Sequence, residues 1–161
     1  MFIVGIDPGF KGAIGFVSVE GLRHRAIPMP VVKESNKNVL DEYAIKQIFD
    51  ARKKKIKHVF VEKAQAMPGQ GVTSMFNYAA GYGFLRGLLV GLDLPYTLVR
   101  PTSWKREICR DMPKGKDVSI IVVKRLWPGI CLKPTRRSKK DSDGMADALC
   151  IAEYGRRALR D

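Results

Sequence analysis

The sequence predicts an α/β fold, and three observations predict it. Short apolar runs at residues 2–6 and 58–61 flank a segment of helical periodicity at 39–54. A strand, helix, strand order of this kind usually means two parallel strands joined by a crossover helix. Two further apolar runs, Ala13 to Val19 and Leu22 to Met29, are separated by little more than Glu20-Gly21, which reads as a hairpin turn. Finally, 161 residues with 45% hydrophobic content suffice for one domain with a substantial core.

The elements follow in chain order. Phe2-Ile-Val-Gly-Ile6 is a strand that ends at Asp7, and Pro8-Gly9 turns the chain. The 13–19 and 22–29 strands come next, closed by Pro28 and Pro30, and 33–38 reads as a polar loop. In the helix at 39–54, Leu40, Tyr43, Ala44, Ile48 and Phe49 mark an apolar face, and the basic run Arg52-Lys-Lys-Lys55 suits the negative end of the helix dipole. The 58–61 strand is closed by Glu62, and 66–72 forms a loop. A long helix spans Thr73 to Leu92. Its Ala79, Ala80, Gly83, Gly87 and Gly91 allow another backbone to approach, either the chain's own sheet or a second copy. Glycine weakens a helix by about 1 kcal/mol relative to alanine, so the pattern needs a packing reason. Tyr96 to Val99 is a short strand, and Thr102–Cys109 and Val118–Trp127 are helices. A basic loop at 133–140 leads to a last helix, Asp143 to Leu159. There is no internal repeat and no linker.

Charge narrows the function. The chain holds 29 Lys+Arg against 16 Asp+Glu, a net charge of +13. Its pI near 9.9 points to an anionic partner, by default nucleic acid. Cys109, Cys131 and Cys150 show no metal-binding spacing and read as free thiols of a reducing compartment, in line with a cytoplasmic protein. The N-terminus has no basic stretch before its apolar run, so it does not read as a signal peptide. The most apolar stretch, Phe84 to Val99, is interrupted by Arg86, Asp93 and Pro95 and does not suit a membrane.

Within this basic chain four acids stand where a metal-dependent nuclease would want them: Asp7, Glu62, Asp143 and Asp147. Asp7 and Glu62 each close an apolar strand. If those strands are parallel neighbours, both carboxylates emerge at one sheet edge. Asp143 and Asp147 are i and i+4, on one face of a helix. An all-oxygen set suits Mg²⁺ or Mn²⁺. Each acid alone has a plainer reading. Asp7 could be a turn residue and Glu62 a solvated strand end. Asp143 could cap its helix in competition with Asp141 and Ser142. Asp147, within Ala146-Asp-Ala-Leu149, lies beside apolar residues and needs a partner or a metal.

Gly5-Ile-Asp-Pro-Gly9, Val61-Glu62 and Ala146-Asp-Ala-Leu-Cys-Ile-Ala152, in that order and spacing, resemble the RuvC-type Holliday junction resolvases of the RNase H-like superfamily. Met67-Pro-Gly-Gln-Gly71, Trp104-Lys105 and Glu153-Tyr-Gly-Arg-Arg157 look like the phage-encoded branch. The resemblance covers nearly the whole chain. It implies one RNase H-like domain with a five-stranded mixed sheet flanked by helices on both faces. It also implies a homodimer that cuts four-way DNA junctions by paired symmetric nicks, with two Mg²⁺ per site and Mn²⁺ as a substitute. Asp7, Glu62 and Asp147 would be metal ligands. The family pattern often places a further acid or histidine three residues before the last Asp. That position is Gly144 here, and Asp143, one residue earlier, is the expected fourth ligand.

The resemblance also makes Lys105 a DNA contact. Lys114 and Lys116 share its basic segment, and Arg136, Arg137, Lys139 and Lys140 precede the last helix, where they could clamp a junction arm. Related enzymes carry an aromatic shortly after the catalytic Glu to stack on a base; Gln65 and Met67 occupy that region here. Phe76 and Tyr78, among apolar neighbours, are expected in the core. Other readings are a broader branched-DNA nuclease, an RNA-directed enzyme of the same superfamily, and a non-catalytic junction-binding protein. The chain is short for a two-lobed actin-like ATPase, whose phosphate loops begin similarly.

Overall fold

The structure is a computed structural model that describes residues 1–65, 69, 71–112, 115 and 117–160. The elements run β1 (Phe2–Asp7), β2 (Ala13–Ser18), β3 (His24–Pro28), β4 (Val31–Glu34), β5 (Lys37–Leu40), α1 (Glu42–Asp50), β6 (Ile56–Glu62), α2 (Val72–Gly91), β7 (Tyr96–Val99), α3 (Pro101–Ile108), α4 (Val118–Leu126) and α5 (Asp143–Ala158). A five-stranded sheet has the order β3-β2-β1-β6-β7. β1 and β2 are antiparallel, as are β2 and β3, whereas β1/β6 and β6/β7 are parallel. The sheet is therefore mixed, as expected, and the crossover between β1 and β6 is present.

Alternation along the central strands feeds two cores. Ile3, Val17 and Phe60 face α3, α4 and α5, together with Trp104, Val123 and Leu149. Val4, Ile6, Ile14 and Phe16 face α1 and α2, which contribute Ile45, Phe49, Leu85 and Leu89. Two-sided burial explains why β1 and β2 read as nearly continuous apolar runs rather than alternating ones.

α5 lies flush on the sheet because glycine meets backbone there. A Cβ on Gly5 would stand 2.2 Å from the Ala148 carbonyl oxygen, and one on Gly15 would stand 2.6 Å from it. The helix carrying Asp147 thus lies closer to β1 and β2 than any side chain at Gly5 or Gly15 would permit.

Three local expectations need correction. Residues 33–38 belong to a hairpin, β4–β5, not to a loop. Its two-residue turn places Ser35 at φ 47 and Asn36 at φ 65, the left-handed pair that tight hairpins use. The strands were hidden because their residues are nearly all exposed, so no apolar alternation marks them. α1 is also shorter than the periodic segment. Asp41 caps its start by accepting from the Ala44 N–H at 2.9 Å, and Lys53–Lys55 form a separate 3-10 turn. Only Arg52 reaches back to the helix end, donating to the Ile48 carbonyl at 3.1 Å. Tyr43, expected on the apolar face, is 83% exposed, and Ile45 takes its place in the core. All three cysteines are free. Among the described residues no helix is long and apolar enough to cross a membrane.

Candidate active site

Asp7 ends β1, and Glu62 ends the parallel neighbour β6. Their strands pair with Ile6 opposite Val61, so both carboxylates leave the sheet at its C-terminal edge. Asp147 arrives from the first turns of α5. The three acids feel one another: burial first, then the charges of Glu62 and Asp147, push Asp7 up to about 7. Glu62 and Asp147 are also raised, mainly by burial. Clustered carboxylates with weakened acidity are a common mark of a working site.

Three neighbours hold the cluster. The Gly9 N–H points at Asp7 Oδ1 at 3.4 Å, across the Pro8-Gly9 turn. Trp104, fully buried on α3, donates its indole N–H to Glu62 Oε2 at 2.7 Å. Ser119 on α4, a buried hydroxyl next to Asp147, favours its ionised form. Lys105 follows Trp104, with its Nζ 5.1 Å from that ring, and its charge works to lower the pKa of Asp7, Glu62 and Asp147 alike. Lys105 thus lies within electrostatic reach of all three acids.

Asp143 stands apart. It is exposed at the first position of α5, and Ser142 is the cap, accepting from the Met145 N–H at 3.3 Å. Asp143 raises Asp147 slightly but is not among the charges that perturb Asp7 or Glu62. The glycine beside it has a physical cause. A Cβ at Gly144 would stand 2.1 Å from the Lys11 carbonyl oxygen, so the turn after β1 leaves no room for a ligand side chain there.

Asp7, Glu62 and Asp147 form a hard, oxygen-only donor set whose mutual repulsion a divalent cation would relieve, so their chemistry fits one. Among the described residues, no three His, Cys, Asp or Glu side chains are gathered tightly enough to share an ion as they stand.

An open cavity of about 890 Å³ adjoins Glu62. Gln65 lines it, as do Lys37 and Asn38 from the β4–β5 hairpin and Phe10 from the turn after β1. Tyr78 lines it too, correcting the expectation of a core residue. Burial and the charges of Asp7 and Glu62 push its hydroxyl up to about 12. Phe76, also expected in the core, is 73% exposed. Thr73, Ser74, Asn77 and Tyr78 are the signal that sequence reading missed: polar positions one turn apart at the start of an apolar helix. Arg136, Arg137, Lys139 and Lys140 are all exposed on the loop before α5. That loop is pinched at its neck, where the Ser142 N–H donates to the Leu132 carbonyl at 2.8 Å. Met67, Lys114 and Lys116 lie outside the described residues.

No protein-family model matches the chain. Against solved structures, Thermus thermophilus RuvC in complex with a Holliday junction substrate superposes with a TM-score of 0.68 at 17% identity, covering 99% of this chain and 95% of that one. The fold is that of RuvC. The yeast mitochondrial Holliday junction resolvase Ydc2 shares it, with a TM-score of 0.56 at 18% identity over 96% of this chain and 77% of its own. In sequence, the chain is 33% identical over 95 residues to the chloroplastic Holliday junction resolvase MOC1 of Chlamydomonas reinhardtii. That match takes in 59% of this chain but spans only 10% of the relative's length. RuvC and the present chain share this fold; in the present chain the central parallel strands deliver Asp7 and Glu62 to a common edge.

Proposed function

We propose that the protein is a metal-dependent endodeoxyribonuclease that resolves four-way DNA junctions by paired symmetric nicks. One observation carries this: the ends of β1, β6 and α5 bring Asp7, Glu62 and Asp147 to one sheet edge, with Lys105 beside them, in a chain of net charge +13. The RuvC fold and the named similarity to junction resolvases support it.

Asp7, Glu62 and Asp147 would hold Mg²⁺ or Mn²⁺, two ions per site, with Asp143 joining from the exposed end of α5. When bound, such ions supply Lewis acidity and lower the pKa of water. The chain does the rest. Trp104 fixes the rotamer of Glu62 through the indole hydrogen bond, and the Ser119 hydroxyl favours the ionised form of Asp147. Lys105 offers its ammonium to the phosphate next to the acids. Gln65, Tyr78, Phe10 and the hairpin's Lys37 and Asn38 wall the adjoining cavity and accept the unpaired or bent part of the substrate. Arg136, Arg137, Lys139 and Lys140 take phosphates of an arm beside α5, and the sequence adds Lys114, Lys116 and Met67 as DNA contacts.

Paired nicks need two sites, and α2 is the proposed dimer element. A Cβ at Gly83, Gly87 or Gly91 would meet nothing within 4 Å, whereas one at Gly81 would touch Leu40. Three outward glycines weaken the helix by about 3 kcal/mol with no return inside the chain. They share the outer surface with exposed Phe76 and Val90, a face that a second α2 would cover.

The test is to incubate the protein with a labelled immobile four-way junction, a flap and a linear duplex, with and without Mg²⁺, beside the Asp7→Asn variant. Symmetric metal-dependent nicks in the junction, absent with the variant, are expected. Equal cutting of the flap would make it a broader branched-DNA nuclease. Binding without cutting in Mg²⁺ and Mn²⁺ would leave a structural junction binder.

A further inference from the structure

The basic run that precedes β6 has no part in the site above, yet it does not simply face solvent. Arg52 and Lys55 converge with Arg23 and Arg25, from the far end of the sheet, on one cleft of about 390 Å³. Its floor is Phe2 and Phe16, packed edge to face with centroids 6.3 Å apart. Arg23 lies over the Phe2 ring at 5.6 Å and Arg52 over Phe16 at 5.6 Å. Planar guanidinium groups resting on aromatic faces are held in place rather than free to swing. The cleft has no acidic residue in its lining, and none of the four cations forms an ion pair with a described carboxylate. Among acids on adjoining segments, Asp50 pairs with Lys46 and Asp93 with Lys53, while the exposed Glu20 feels the charge of Arg23 without forming an ion pair with it. Four like charges in one concavity cost the free protein stability, and a multiply charged anion would relieve that cost.

The position of the cleft is set by β1. That strand begins at Phe2, in the cleft floor, and ends at Asp7, in the acidic cluster. Five residue steps of about 3.3 Å separate them, so the two sites sit roughly 17 Å apart at opposite ends of one strand. DNA carries one phosphate per strand for about every 3.4 Å of helix axis. A phosphate in the cleft therefore belongs to a nucleotide several positions from the one at the acids, or to another arm.

We propose that this cleft is a second phosphate-binding site, built from Arg23, Arg25, Arg52 and Lys55, that seats the backbone of bound DNA away from the cut. It sets the path of an arm and takes no part in cleavage. The assignment rests on DNA being the substrate.

The test uses the full chain and an Arg25→Gln/Lys55→Gln variant, both positions being exposed, with its fold checked by thermal melting. Binding of a labelled four-way junction is followed by fluorescence anisotropy in chelator over a range of salt. Two lost contacts should lower the slope of log affinity against log salt by about 1.8. The cutting rate at saturating junction in Mg²⁺ should be unchanged, and Arg25→Lys/Lys55→Arg should keep the wild-type slope. An unchanged slope in the folded Gln variant overturns the proposal. So does a lost cutting rate at saturation, because it would place these residues in the cutting machinery. A calorimetric titration with inorganic phosphate separates the sources: uptake that the Gln variant loses, with an unchanged DNA slope, would make this a free-anion site and overturn the DNA assignment. A wild type that binds junctions but never cuts them would sink the nuclease reading, while the slope would still decide the cleft.

Discussion

Replacing Asp7 by Asn should make the metal-free protein more stable while abolishing cutting. Burial and the neighbouring carboxylates raise Asp7 from its ordinary 3.8 to about 7. That difference corresponds to about 4 kcal/mol, and partial solvent access reduces the usable part to roughly 2–3 kcal/mol. The sign follows from proton uptake. Between about pH 4 and pH 7 the native state binds a proton that the unfolded chain has already released. Wild-type stability therefore falls as pH rises through that window, and the full penalty applies above it. Asparagine carries no charge, and its Oδ1 still accepts from the Gly9 N–H. In a chain of this size each kcal/mol moves Tm by about 2–4 °C. The variant should melt about 4–12 °C above wild type in chelator near pH 8, and the gap should close near pH 4. Added Mg²⁺ should raise the wild-type Tm and leave that of the variant in place. A variant no more stable than wild type at pH 8, or a gap that ignores pH, would refute the picture of a repelling carboxylate cluster.

Other consequences can be checked alongside. Trp104→Phe removes the N–H that fixes Glu62, so metal titrations of cutting should show roughly 10- to 100-fold weaker activation, with a stability loss of about 2–3 kcal/mol in urea. Gly144→Ala drives a methyl into the Lys11 carbonyl and should lower Tm and displace Asp147, costing about 1–3 kcal/mol and most of the activity. Glu153, nearly fully buried, binds Arg156 through two hydrogen bonds and Arg157 through a third, and against the upward push of burial these partners lower its pKa. Its contribution is present above its unfolded value of 4.5 and is lost as pH falls through the lower folded value. Glu153→Gln should cost about 3 kcal/mol or more near neutral pH by stranding Arg156, with a smaller cost in acid. Phe76→Asp should yield a monomer in analytical ultracentrifugation if α2 joins two copies.

The fold was legible wherever burial leaves a periodic trace. β1, β2, β6 and α5 are two-sided or flush-packed elements, so their sequences are apolar runs with glycine where backbones touch. The β4–β5 hairpin left no such trace, since seven of its eight strand residues face solvent to some degree. Its identity rests instead on the left-handed Ser35-Asn36 pair. At the site, the strand-terminal acids were readable because a carboxylate ending an apolar run is unusual. Tyr78 was not, because an aromatic among apolar helical neighbours looks the same whether it faces a core or a cavity. For Asp143 the sequence offers spacing alone: i,i+4 guarantees a shared helix face but not shared depth, and the first residue of α5 stands at the surface.

The buried indole of Trp104 gives the protein its own optical reporter. The chain has two tryptophans. Trp104 is hydrogen-bonded to a carboxylate of the site, whereas Trp127 stacks on His24 at 5.0 Å and donates to the Gly21 carbonyl at the remote turn. Any ligand that changes the charge on Glu62 alters the field across one fluorophore and spares the other. The emission of a Trp127→Phe protein would then follow events at the acids directly, without a label, and before any phosphodiester is broken.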